Sequence, residues 1–125
     1  MNTKEEARKL RDELLPRYID RLVALDKLDS FAKELWPDIE WYHMVRMVRL
    51  GAIAQYNKQN VDVTAIAAAL GMERSKCSKF KTKLEKLDYI HKKKVGPSHH
   101  IYGTAKHINK SLLYCKEMER LLPLC

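Results

Sequence analysis

Several kinds of protein are excluded by what this 125-residue chain has little of. Three cysteines, Cys77, Cys115 and Cys125, form no paired spacing and make an odd number, so no disulfide framework or cysteine-rich metal site is implied, and a reducing compartment suits them. With only four glycines there is no phosphate-cradling loop. No nucleophile lies beside a base and no paired carboxylates stand in a recognisable setting, so the chain is read as a non-enzyme without a cofactor. Nowhere do eighteen apolar residues follow one another, and the stretch Met1–Leu15 is charged throughout rather than carrying an apolar leader core. A cytoplasmic protein with no membrane partner is expected. What the chain does have is a hydrophobic content of 46%, enough for one compact domain with helical appendages.

It also has an uneven charge distribution. Between Arg74 and Lys94 stand nine basic residues against Glu85 and Asp88, a surplus of seven, while the whole chain has a formal surplus of eight. Nearly all the net charge therefore sits in one segment, the pattern expected of a face that meets phosphates.

Periodicity organises the rest. Thr3 followed by Glu6 reads as a capping box opening a helix, along which Leu10, Leu14, Ile19, Leu22, Leu25 and Leu28 recur at helical spacing. Pro16 lacks a backbone donor and predicts a kink or a split there, and Asp29-Ser30 suits the start of a short second helix ending at Trp36. A third helix, from Pro37 or Asp38 to about Asn57, carries a wide apolar face of Ile39, Tyr42, Val45, Val48, Ala52, Ile53 and Tyr56. Val61-Asp62-Val63 has the length of a small strand.

Thr64 is then expected to cap a helix over Ala65–Leu70, closed by Gly71 in the left-handed conformation. A second helix over Arg74–Leu87 has Cys77, Phe80, Leu84 and Leu87 as its one apolar stripe. Ile90–Val95 and His99–Tyr102, separated by Gly96-Pro97-Ser98, read as a hairpin, and Thr104 caps a last helix with Ile108, Leu112, Cys115 and Leu122 in a stripe.

A Thr-capped Ala/Leu helix, a tight turn, a lysine-rich helix and a basic hairpin together make a winged helix-turn-helix. Opposite the apolar stripe of the lysine-rich helix lie Ser75, Ser78, Lys79, Thr82 and Lys86, residue types that reach base edges, with Arg74, Lys76, Lys81 and Lys83 flanking them where groove walls would be. The predicted class is mainly α with a small β-hairpin wing: residues 1–36 a helical dimerisation arm, 37–103 the DNA-binding domain and 104–125 a C-terminal dimerisation helix. Leu10, Leu14, Ile108, Leu112, Cys115 and Leu122 are the expected dimer contacts, since they otherwise leave a large apolar surface exposed.

From Thr64-Ala65-Ile66-Ala67-Ala68-Ala69-Leu70-Gly71 through Leu84-Glu85-Lys86-Leu87-Asp88-Tyr89-Ile90 the segment resembles the MarR family of winged-helix regulators, and that family's plan of terminal dimerisation helices around a winged helix covers nearly the whole chain. The resemblance implies a homodimer on a pseudo-palindromic duplex, with a recognition helix contributing Arg74, Ser75, Lys76, Ser78 and Lys79 and a wing contributing Lys92, Lys93, Lys94 and His99. Two positions depart from the family. Asp88 stands where glycine is usual, and Val95-Gly96-Pro97-Ser98-His99 lacks the usual Asp-Arg wing signature. The single helix after the wing resembles the layout of compact SarA-type relatives.

Other residues have plainer readings. His99 and His100 are strand neighbours that face opposite ways, which disfavours joint metal binding. Cys77 and Cys115 lie on apolar stripes and behave there as small hydrophobes. Trp36, Trp41, Tyr18 and His43 could line a pocket for a small-molecule effector between the arms and the DNA-binding lobe, but core packing is the better reading of them. Three functions fit the pattern: a dimeric transcription regulator first, then a replication, partition or RNA-binding module, and last a winged helix that binds protein.

Overall fold

The computed structural model describes residues 3–124. It contains α1 (Lys4–Leu35), α2 (Trp41–Tyr56), α3 (Val63–Leu70), α4 (Arg74–Lys86), β1 (Ile90–Val95), β2 (Ser98–Gly103) and α5 (Ala105–Leu121). The expected mainly helical class with one β-hairpin is what the chain adopts.

Where a kinked or split rod and a separate helix from Asp29 were expected, α1 is one helix of 32 residues with Pro16 inside it. Asp29 and Ser30 do not cap anything; the Ser30 hydroxyl donates back to the Asp26 carbonyl at 3.2 Å, within the helix. Pro16 lies on an exposed stretch, where water can serve the carbonyl that proline leaves without a donor. From there the stripe Ala24, Leu28, Ala32 and Trp36 runs on into the core without a break in phase. At the other end Thr3 does cap, its hydroxyl accepting the Glu6 N–H at 3.2 Å. Pro37 biases Trp36 away from helical geometry, and the chain turns over Pro37–Ile39 before α2 begins at Trp41, a few residues later than expected.

The start of α3 also differs. Asp62 rather than Thr64 is the cap, its carboxylate accepting the Ala65 N–H at 2.8 Å, so Val63 and Thr64 are already helical. That conversion removes the expected strand at Val61–Val63. One ladder-like bond survives, from the Ile101 N–H to the Val61 carbonyl at 2.8 Å, and among the described residues the sheet consists of the two hairpin strands. Gly71 takes the left-handed conformation at φ 65° and Asp88 takes the same at φ 62°, each just past a helix end.

A core of Leu28, Ala32, Trp36, Met44, Val48, Ile66, Leu70, Cys77, Phe80, Leu84, Tyr89, Ile101 and Tyr114 joins all five helices to the hairpin. Trp36 packs on Tyr114 with ring centroids 6.0 Å apart, so it is core as expected. The N-terminal half of α1 takes no part in this: before Ala24 it has no buried residue, and Leu15, Ile19, Leu22 and Val23 are exposed along it. At 1.5 Å per residue α1 is about 48 Å long, and much of it projects beyond the body.

Candidate nucleic-acid interface

In α4, Cys77, Phe80 and Leu84 are buried, which fixes how the helix is rotated. Arg74, Ser75, Lys76, Ser78, Lys79, Thr82, Lys83 and Lys86 are all exposed as a result. They are not equally free. The Thr82 hydroxyl donates to the Ser78 carbonyl at 3.0 Å, and Lys83 reaches the Glu40 carboxylate at 3.4 Å. Lys81, half-buried, pairs with Glu85 at 3.7 Å within the helix. Among the described residues Arg74, Ser75, Lys76, Ser78, Lys79 and Lys86 have no side-chain partner, and they form the open part of the face.

Cys77 is fully buried beneath this face, and burial pushes its thiol above the ordinary range, so it is held as the neutral thiol. Beside it, His43 of α2 sets its ring edge-on to Phe80 with centroids 5.1 Å apart; burial lowers its pKa, so it supports α4 as a neutral ring.

The hairpin register divides the wing residues. Lys94 pairs with His99 and Lys92 with Ile101, placing Lys92, Lys94 and His99 on one face. Lys93 pairs with His100 on the other face, next to His91 and Tyr102, whose rings stack at 5.6 Å. His99 and His100 thus point to opposite sides, and among the described residues no group of three or more potential metal ligands exists. Gly96 makes the turn at φ 62°.

Of the expected dimer contacts, Leu10, Ile108 and Leu112 are 46%, 50% and 56% exposed, and Leu14, Cys115 and Leu122 are half-buried. Leu15, Ile19, Leu22, Val23 and Leu113 are exposed as well. Cys125 lies outside the described residues.

Two features were not legible in the sequence. One is a cavity of about 630 Å³ between α2, β2 and the first turns of α5, lined by Met47, Gly51, Ile101, His107, Ile108 and Cys115 among others. Trp36, Trp41, Tyr18 and His43 do not line it. The other is a polar cluster around Tyr89 that ties the end of α4 to α1 and α5.

No family model matches the sequence, and no curated protein matches it. Solved structures do. The chain superposes on RV1404 from Mycobacterium tuberculosis with a TM-score of 0.64, at 15% identity over 94% of this chain and 77% of that one. MepR, a transcription regulator of the Staphylococcus aureus multidrug efflux pump MepA, gives 0.59 at 20% identity over 85% and 80% of the two chains. The S. aureus MepR–DNA complex gives 0.54 at 17% identity over 90% and 85%. The fold is that of a MarR-like winged helix.

Proposed function

We propose that this protein is a homodimeric transcription regulator that binds double-stranded DNA sequence-specifically in the cytoplasm, without enzymatic activity. In this reading α4 enters the major groove and the wing lies on the backbone or in the minor groove. The observation that carries it is the division of α4 into a buried apolar stripe and an open face of Arg74, Ser75, Lys76, Ser78, Lys79 and Lys86. Those side chains are the types that contact guanine edges and phosphates. That the fold is shared with a protein solved on DNA supports the choice of duplex as ligand.

Dimerisation is supported by the unburied arm. Residues 1–36 and 104–125 are assigned to it and 37–103 to DNA binding, because Leu10, Leu15, Ile19, Leu22, Ile108 and Leu112 of α1 and α5 stay exposed among the described residues. The cavity behind β2 is of a size that small ligands occupy, and because Ile108, Leu112 and Cys115 line it as well as the expected dimer surface, we assign it to any effector that binds at the dimer seam.

The test begins with selection of bound genomic fragments by the purified protein, which should return a two-fold-symmetric site. Replacing Leu112 and Leu122 with Asp should then give monomers that lose affinity for it. A native monomer by light scattering at micromolar concentration would sink the dimeric reading.

A further inference from the structure

Tyr89 is completely buried just beyond α4, and its surroundings go beyond packing. Its N–H donates to the Leu84 carbonyl at 2.9 Å, so it hangs rigidly from the last turn of α4. Its hydroxyl donates to Asp38 Oδ1 at 2.7 Å, in the turn between α1 and α2, and accepts from Lys110 Nζ at 3.4 Å. Lys110 also donates to the Leu35 carbonyl, the C-terminal end of α1, where a cation is favoured. Lys106 lies 4.3 Å above the Tyr89 ring, donates to the Leu87 carbonyl at 2.7 Å and is 4.0 Å from Asp38 Oδ2. One phenol therefore connects the end of the lysine-rich helix to the end of α1, to the α1–α2 turn and to two residues of α5.

The location matters because α4 packs chiefly on α3 and β1 and at most slightly on α1 or α5. Beyond the core packing of Cys77, Phe80 and Leu84 and the contact of Phe80 with His43 of α2, its direct polar tie to the α1–α5 arm lies at its C-terminal end, through Tyr89. With 13 residues, α4 is a lever about 20 Å long, so a 10° swing at Tyr89 moves the Arg74 end by about 3.5 Å.

We propose that Tyr89 is a positioning residue: with Asp38, Lys106 and Lys110 it forms a joint that fixes the angle between α4 and the arm, and hence the half-site spacing the dimer accepts. The spacing part rests on the DNA-binding reading above; the joint itself does not. Tyr89→Phe removes the hydroxyl and keeps the ring, so the apolar packing stays while the tie to Asp38 and Lys110 is lost.

Two measurements test this. The first needs no DNA. Spin labels at Arg17→Cys on the arm and Glu73→Cys at the far end of α4, in a Cys115→Ser, Cys125→Ser background diluted with unlabelled protein, should give one narrow distance distribution. Tyr89→Phe should broaden it, and an unchanged distribution overturns the joint.

The second uses duplexes with half-sites at several spacings and a single half-site duplex. Tyr89→Phe should bind the half-site within twofold of the native protein but lose about tenfold at the favoured spacing, flattening the preference. Equal losses on all duplexes, or none, overturn the assignment of spacing to Tyr89. If the native protein binds no duplex, the DNA reading falls and the distance measurement still decides the joint. Asp38→Ala, at an exposed position, removes the acceptor of the Tyr89 hydroxyl and serves as the second variant should Tyr89→Phe fail to fold, and its effect should not add to that of Tyr89→Phe, because both act on one contact.

Discussion

Lys83, on the basic helix, holds the carboxylate of Glu40 at 3.4 Å, so one of that helix's cations is already engaged within the protein. Both side chains are partly exposed, and a pair of this kind is worth under about 1 kcal/mol. Glu40 itself is kept ionised: a backbone hydrogen bond lowers its pKa against the cost of burial, and Lys83 lowers it further. Lys83→Ala should therefore change the salt dependence of duplex binding by much less than the roughly 0.9 per phosphate contact expected of a free lysine such as Lys79. Glu40→Gln should raise affinity, by up to about fivefold, by releasing Lys83. Filter-binding or anisotropy titrations at several salt concentrations distinguish these variants, and a Lys83→Ala slope change equal to that of Lys79→Ala would refute the distinction.

The wing should likewise act through one face. Lys92, Lys94 and His99 share a side of the hairpin and Lys93 points to the other, and a duplex bound by α4 meets only one of them. The Lys92→Ala, Lys94→Ala double variant and the Lys93→Ala variant should differ, one lowering the salt slope by about 0.9 per contact on specific and scrambled duplexes alike and the other nearly silent. Lys79→Ala, by contrast, should remove roughly 1–3 kcal/mol of discrimination at particular base pairs. Equal effects of the two wing variants would mean that the hairpin register does not govern contact.

How far these features were legible in the sequence depended on whether they were local. The stripe of Cys77, Phe80 and Leu84 fixed both the existence of α4 and its exposed face, because a 3.6-residue period contains that information. Gly71, Asp88, Gly96 and Thr104 marked turns and caps through their own backbone chemistry. The errors came where two local signals competed. Proline and Asp-Ser suggested breaks in α1, but an unbroken stripe of core contacts outweighed them. Asp62, within the stretch that reads as a small strand, takes the capping role expected of Thr64. Lys83 was grouped with the free lysines because Glu40 is 43 residues away. The Tyr89 cluster draws on residues from 35 to 110, a juxtaposition that only the tertiary fold creates.

Asp88 offers a test of backbone strain. Its φ of 62° puts a side chain in the left-handed region, and its carboxylate sits at the negative end of α4. Asp88→Gly should stabilise the protein by about 0.5–1 kcal/mol, since glycine adopts this conformation without a steric penalty. Thermal unfolding would show a rise in Tm. The Asp88 carbonyl, which accepts from the Thr104 hydroxyl at 2.6 Å, is retained in the variant. A fall in Tm would show that the side chain makes a contribution greater than the strain it costs.

Stability should also fall on acidification. His107 is buried at the start of α5 against Tyr89, and burial depresses its pKa below the ordinary 6.5. Below about pH 6.5 the unfolded chain takes up a proton that the folded chain refuses, so unfolding is favoured increasingly as pH drops toward the folded value. Above that window the residue contributes no pH dependence. His107→Gln should make the curve of Tm against pH flatter between pH 7.5 and 5.5 than that of the native protein. Identical curves would assign the acid sensitivity to other groups, His43 first among them.

The central claim, that the charge gathered on α4 and the wing exists to hold duplex DNA, is tested most directly by equilibrium titration of the purified protein against duplex, single-stranded DNA and RNA of the same sequence across salt concentrations. The account predicts tightest binding to the duplex, with an affinity that falls linearly on a log–log plot against salt at a slope of several phosphate contacts, about 0.9 for each. Binding that ignores salt, or that favours single strands or RNA over the duplex, would contradict it.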